Sequence, residues 1–227
     1  MLRIAVELPA DFASAGEFLA DAQAYEAAGA EAVWLAPSRA GLERLTLLAA
    51  VAAVTARIKL AAALDAAGPW PPALVAGVVE TLDRLSRDRV VLGVEAGAEQ
   101  EQRARELIAA LRPSGRARAI LLAGGGAALA ALAARLGDGL LHPAADTERV
   151  RSAFEAARAH RAADGTEPFE LWARVPAPGG RAEWREALDT YAGLGATGIV
   201  VAHAANLLDI LRNPEEDDRQ DLAMAVG

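Results

Sequence analysis

The 227-residue sequence contains no cysteine, which excludes a disulfide framework, a thiolate metal site and a cysteine nucleophile. Aromatic residues make up only 4% of the chain against 53% apolar residues in all. The core must therefore be built mainly of Ala, Leu and Val, a composition suited to helices packed closely on a buried parallel sheet. Cations are in the minority: 23 Lys and Arg face 31 Asp and Glu, a formal charge of -8. Affinity for nucleic acid rests on clustered cations that displace counterions, so nucleic acid is not an expected partner. No apolar run approaches the ~20 residues needed to cross a bilayer. The opening "MLRIAVELPADF" lacks the apolar core and small-residue cleavage site of a secretory signal. The expectation is a soluble, cytoplasmic protein acting on a small molecule, with no membrane partner. Chemical motifs are also scarce. There is no G-x-S-x-G, and no His or carboxylate pair stands at metal-ligand spacing on one element, so no metal site is expected.

What the chain does have is a repeating alternation. Short β-type runs at 2–8, 31–36, 58–64, 89–94, 118–123, 139–142, 169–175 and 197–202 are each followed by a stretch with helical spacing. Those stretches lie near 13–28, 42–56, 71–86, 99–111, 126–136, 146–163, 181–194 and 205–212. In the sixth of them Val150, Ala153, Phe154 and Ala157 fall at i, i+3, i+4 and i+7, with Asp146 or Thr147 to cap the start and Gly165 to end it. In the third, Pro71 and Pro72 occupy a first turn, where a missing N–H does no harm. Alternating strands and helices imply right-handed crossovers and a parallel sheet, and eight such units close a barrel. The predicted fold is a compact, single-domain TIM-like (β/α)8 barrel of the α/β class over residues 1–212. An acidic tail, "NPEEDDRQDLAMAVG", follows at 213–227.

In such a barrel, function collects where strands end and βα loops begin. Those positions hold Glu7, Ser38, Arg39, Asp65, Trp70, Glu95, Gly124–Gly126, His142, Arg174, His203 and Asn206. His142 and His203 are proton-donor candidates, since imidazole titrates near neutrality; the plainer role for either is to cap a strand and bond a backbone carbonyl. Glu7 and Glu95 are general acid or base candidates in an apolar barrel, and equally each could be a buried carboxylate tied by Arg174 or another barrel residue. "GLGATG" (193–198) has the spacing of a dinucleotide fingerprint but ends a helix and opens a strand, the reverse of what that motif requires. "RAILLAGGGAALAALAARL" (118–136) has the right order, strand, glycines, helix. Backbone amides at such a helix start face outward with the positive end of the helix dipole, and glycines let an anion come close. The alternative is a tight turn, which would require one glycine more readily than three.

Three segments, "FLADAQAYEAAGAEAVWLA" (18–36), "LTLLAAVAAVTARIKLAAAL" (45–64) and "PPALVAGVVETLDRLSRDRVVLGVEAG" (71–97), together resemble the bacterial luciferase-like family of flavin- or F420-dependent oxidoreductases and monooxygenases. "AGGGAALAALAARLGDGLL" (123–141) is similar to that family's later glycine-rich segment. The resemblance implies FMN or coenzyme F420 at the C-terminal mouth of the barrel, with the hard chemistry carried by the cofactor. It points to Gly124, Gly125 and Gly126 as the phosphate contact, to Trp70 and Ser38 as further cofactor-binding residues, and to Glu95 and His142 as catalytic residues. The chain departs from the family in two places. Pro37-Ser38-Arg39 replaces the His, Asp or Glu often found after the second strand, and the long insertion after the fourth strand is missing.

These departures keep a second function open: a non-catalytic barrel that has lost flavin chemistry and serves as a binding or assembly module. A third is an isomerase or lyase acting on a phosphorylated metabolite, with Glu7 or Glu95 as base. Alanine-rich helix faces with few charges would also allow a homo-oligomer.

Overall fold

The computed structural model describes residues 2–97, 100–112, 119–143, 146–164 and 169–213. The acidic tail beyond Asn213, and the Gly165 stop signal, lie outside them. Eight strands alternate with eight helices in this description: β1 (Arg3–Leu8), α1 (Ala15–Ala27), β2 (Ala32–Leu35), α2 (Arg44–Val54), β3 (Lys59–Asp65), α3 (Pro72–Ser86), β4 (Val90–Glu95), α4 (Glu101–Leu111), β5 (Ala119–Ala123), α5 (Ala127–Leu136), β6 (Gly139–Pro143), α6 (Thr147–Asp164), β7 (Glu170–Val175), α7 (Arg181–Gly193), β8 (Gly198–Ala202) and α8 (Leu207–Arg212). The strands pair in parallel in sequence order, and β8 returns to β1, closing the TIM-like barrel. Helix starts follow their local chemistry. Ser14 Oγ accepts from Glu17 N at α1, the Glu43 carboxylate accepts from Leu45 N and Thr46 N at α2, and Asp146 Oδ1 accepts from Glu148 N at α6. Each satisfies donors that the first helical turn leaves without a partner. No helix among the described residues is long and apolar enough to cross a membrane.

Every strand is buried on both faces, and the two faces build separate cores. Val6, Val33, Leu60, Leu92, Leu122, Leu140 and Val201 point outward into the layer beneath the helices. Ala5, Ala32, Trp34, Ala61, Ala63, Leu121, Ala123, Leu141, Trp172 and Val200 fill the barrel itself. Such an interior is usually packed with branched side chains; here two tryptophans do the filling and small residues make room for them. A Cβ on Gly198 would stand 2.4 Å from the Trp172 ring, and one on Gly93 would stand 3.1 Å from Trp34. The N-terminal end of the barrel is closed by charge: Arg3 pairs with Glu170 at 3.0 Å, Lys59 with Glu31 at 2.7 Å, and Trp172 Nε1 donates to Glu170 at 2.7 Å. With that end sealed, the polar ends of the strands converge at the C-terminal mouth.

Beneath the helices Arg89 performs a separate task. Its guanidinium donates to Thr55 Oγ1 and to the carbonyls of Ile58, Ala52 and Thr55. These include the carbonyls at the end of α2, which have no partner within the helix.

Candidate active site

The mouth is lined by inward-facing residues at the strand ends. Glu7, Asp65, Glu95 and Arg174 share the parity of the interior set, and the register places Asp65 beside Glu95 and Glu95 beside Ala123. Arg174 Nε lies 3.1 Å from Glu7 Oε1, and the guanidinium sits 5.9 Å from the centre of the Trp34 ring. The tie expected for one of the two glutamates is thus found at Glu7. Glu95 makes no side-chain hydrogen bond or ion pair among the described residues, and its carboxylate is half-buried at the rim.

His142 lies on the other face of the sheet. Its neighbour Leu141 belongs to the barrel interior, so the imidazole turns outward, where it is 5% exposed. Nδ1 is shut off from solvent and has no hydrogen-bond partner, and burial lowers the pKa of the ring below the usual 6.5. Nε2 lies 3.4 Å from where a Cβ on Gly125 would stand. Glu95 and His142 are therefore not a facing pair.

The three glycines connect β5 to α5 in a backbone that other residues would resist. Gly124 has φ +146° and Gly126 φ +94°, conformations costly for any residue with a Cβ. A Cβ on Gly124 would also stand 2.6 Å from Leu129 Cδ2, while the space beside Gly126 is open. Gly124 N donates to Leu141 O at 3.0 Å, which fixes the loop against β6. No side chain caps α5. The loop borders a cavity of about 470 Å³ whose lining includes Gly125, Gly126, His142, Arg149 and Ser152. Arg149 approaches Asp146 only at 3.8 Å and is largely exposed. This cavity brings together helix-start amides, a guanidinium, a hydroxyl and an imidazole, the donor set that recognises a phosphate monoester. Arg149 and Ser152 are absent from the sequence-derived set, although their i, i+3 spacing at the start of the helix after β6 puts them on one face.

The other expected residues are dispersed. Ser38 Oγ donates to Asp11 Oδ1 at 2.6 Å and accepts from Leu42 N at 2.9 Å, and Asp11 also accepts from the amides of Arg39 and Ala40. Ser38 thus clamps two βα loops together. Trp70 is 48% exposed and borders a second cavity, between the starts of α2, α3 and α4. His203 Nδ1 is 2.9 Å from Tyr25 Oη, whose pKa burial pushes up to about 12, and Asn206 Nδ2 donates to Pro178 O. Both act as local ties. Among the described residues no cluster of His, Asp or Glu is arranged to hold a metal ion.

Residues 3–108 match the luciferase-like monooxygenase family. The resemblance read from the sequence therefore stands for the first half of the barrel. No curated protein matches the chain in sequence. Among solved structures, coenzyme F420-dependent tetrahydromethanopterin reductase from Methanopyrus kandleri superposes with a TM-score of 0.77 at 11% identity, over 93% of this chain and 96% of that one. An F420-dependent secondary alcohol dehydrogenase, determined with an F420-acetone adduct, gives 0.81 at 14% identity over 93% and 97%. A monooxygenase from Streptomyces bottropensis gives 0.72 at 18% identity over 89% and 92%. At these identities the likeness is one of fold. In this chain the connection between β4 and α4 is short, residues 96–100.

Proposed function

We propose that this protein is a luciferase-like oxidoreductase that takes FMN or coenzyme F420 at the C-terminal mouth, with the cofactor phosphate seated on the Gly125–Gly126 loop. One observation carries the proposal: glycine amides at an uncapped helix start, Arg149, Ser152 and His142 border a single cavity. Such groups fit a phosphate monoester in charge and in hydrogen-bond type. Bound there, the cofactor supplies the ring that carries hydride or activates oxygen.

The chain's own residues then have separable tasks. The α5 amides and Arg149 bind and orient the phosphate, and Ser152 Oγ adds a neutral donor. His142 presents its imidazole beside Gly125; a phosphate favours the protonated ring, so binding takes up a proton there. Glu95, unpaired and inward-facing, is the group free to hold or accept a proton from a small organic substrate in the mouth. Arg174 is held by Glu7 as a fixed positive group at the same level.

Titration of the purified chain with FMN and F420 separately, followed by fluorescence quenching, tests the reading. Saturable binding that Arg149→Ala weakens by about tenfold, the usual order for one charge-assisted contact, and that Gly125→Asp abolishes is the expected result. Binding insensitive to both substitutions would remove the glycine loop from the cofactor site.

A further inference from the structure

The cavity beneath Trp70 is separate from the one at the glycine loop, and the two share no lining residue. Its volume is about 530 Å³, within the range of small-molecule sites. Leu45, Leu64, Val75 and Leu107 contribute an apolar lining, and the half-exposed Trp70 stands at its edge between Pro69 and Pro71. Two guanidinium groups, Arg44 and Arg103, also border it.

Their situation differs from that of the other charges there. Neither arginine makes a hydrogen bond or ion pair among the described residues, and Arg44 Nη1 is shut off from solvent as well. A guanidinium nitrogen that has lost water and gained no acceptor is costly. The cavity also has three carboxylates, but none of them forms an ion pair with either arginine: Asp65 accepts from Ala67 N, Glu43 from Leu45 N, Thr46 N and Thr46 Oγ1, and Glu106 from Gln102. The missing element is an acceptor anion attached to an apolar body. A planar carboxylate matches the guanidinium fork, and the apolar lining matches an aryl or alkyl group.

We propose that this cavity binds a small hydrophobic monocarboxylate, its carboxylate on Arg44 with Arg103 at the rim, and its apolar part over Leu64 and Val75 against Trp70. The site is independent of the glycine loop and requires no cofactor.

The test is calorimetric titration of the full chain with 4-phenylbutyrate and with its neutral counterpart, 4-phenylbutanol. The expected result is saturable binding of the acid, at least about tenfold tighter than the alcohol, as one charge-assisted contact provides. Arg44→Gln should remove that preference. Arg44→Lys should restore part of it, since the charge returns without the fork, and Trp70→Ala should weaken both ligands. Arg149→Ala, at the other cavity, should change neither, and circular dichroism confirms that each variant is folded. Equal affinity for acid and alcohol, no saturation below about 10 mM, a concentration beyond which contacts are nonspecific, or loss of binding in Arg149→Ala would each overturn the proposal. Failure here would leave cofactor binding at the glycine loop unaffected.

Discussion

Arg174 reaches Glu7 across an intervening strand: the two residues belong to β7 and β1, and β8 runs between them with Ala202 at the level of Glu7. Both side chains are mostly buried, so removing one partner strands the other charge. Glu7→Leu and Arg174→Met are each expected to cost about 1–3 kcal/mol in urea unfolding. The double variant should cost less than their sum. An additive double variant would show that the pair is not coupled.

Gly124 and Gly126 separate strain from collision. Gly124→Ala meets both an unfavourable φ and Leu129, whereas Gly126→Ala meets only the φ. The expected losses are about 2–4 kcal/mol at Gly124 and about 1 kcal/mol at Gly126. Thermal unfolding of the two variants side by side checks the order; equal losses would contradict it.

His142 predicts a pH dependence. In the unfolded chain its imidazole takes up a proton near 6.5, while burial keeps the folded ring neutral to lower pH. Between these limits the unfolded state binds more protons, so stability falls as pH drops below 6.5 and rises again toward neutrality. Urea midpoints measured between about pH 8 and pH 5 should show this slope, and His142→Gln should flatten it. The same proton links to ligand: phosphate uptake at the glycine loop should raise the pKa of His142.

Arg89 offers a test of the helix layer. Arg89→Met leaves the carbonyls of Ala52 and Thr55 without their donor, at an expected cost of about 2–4 kcal/mol. Arg89→Lys should rescue only part, because a single ammonium cannot serve the several acceptors the guanidinium fork reaches. Full rescue by lysine would show that charge alone matters there.

The barrel was legible in the sequence because strand and helix periods alternate cleanly; predicted and observed ends differ by at most two residues, as at the start of α1. The pairing of Arg174 with a mouth glutamate was legible as well, since both stand at strand ends. The facing of His142 was not. In "GLLH" both flanking layers are apolar, and a strand buried on both faces carries no alternation from which to read which side a residue takes. The contact of Ser38 was hidden for a different reason: its hydroxyl donates to Asp11, which arrives from the preceding βα loop. Arg149 and Ser152 become visible only once β5 and β6 are known to be neighbours, which turns two separate loops into one cavity.

The two tryptophans inside the barrel give the molecule a pair of internal lamps. Trp34 lies near the Arg174 guanidinium at the open end, and Trp172 lies under Arg3 with its indole N–H on Glu170 at the sealed end. Their emission therefore reports on opposite ends of one axis. With phenylalanine at Trp70, Trp184 and one of the barrel pair, the remaining indole distinguishes fraying of the mouth from breaching of the floor, a distinction that a single global unfolding signal averages away.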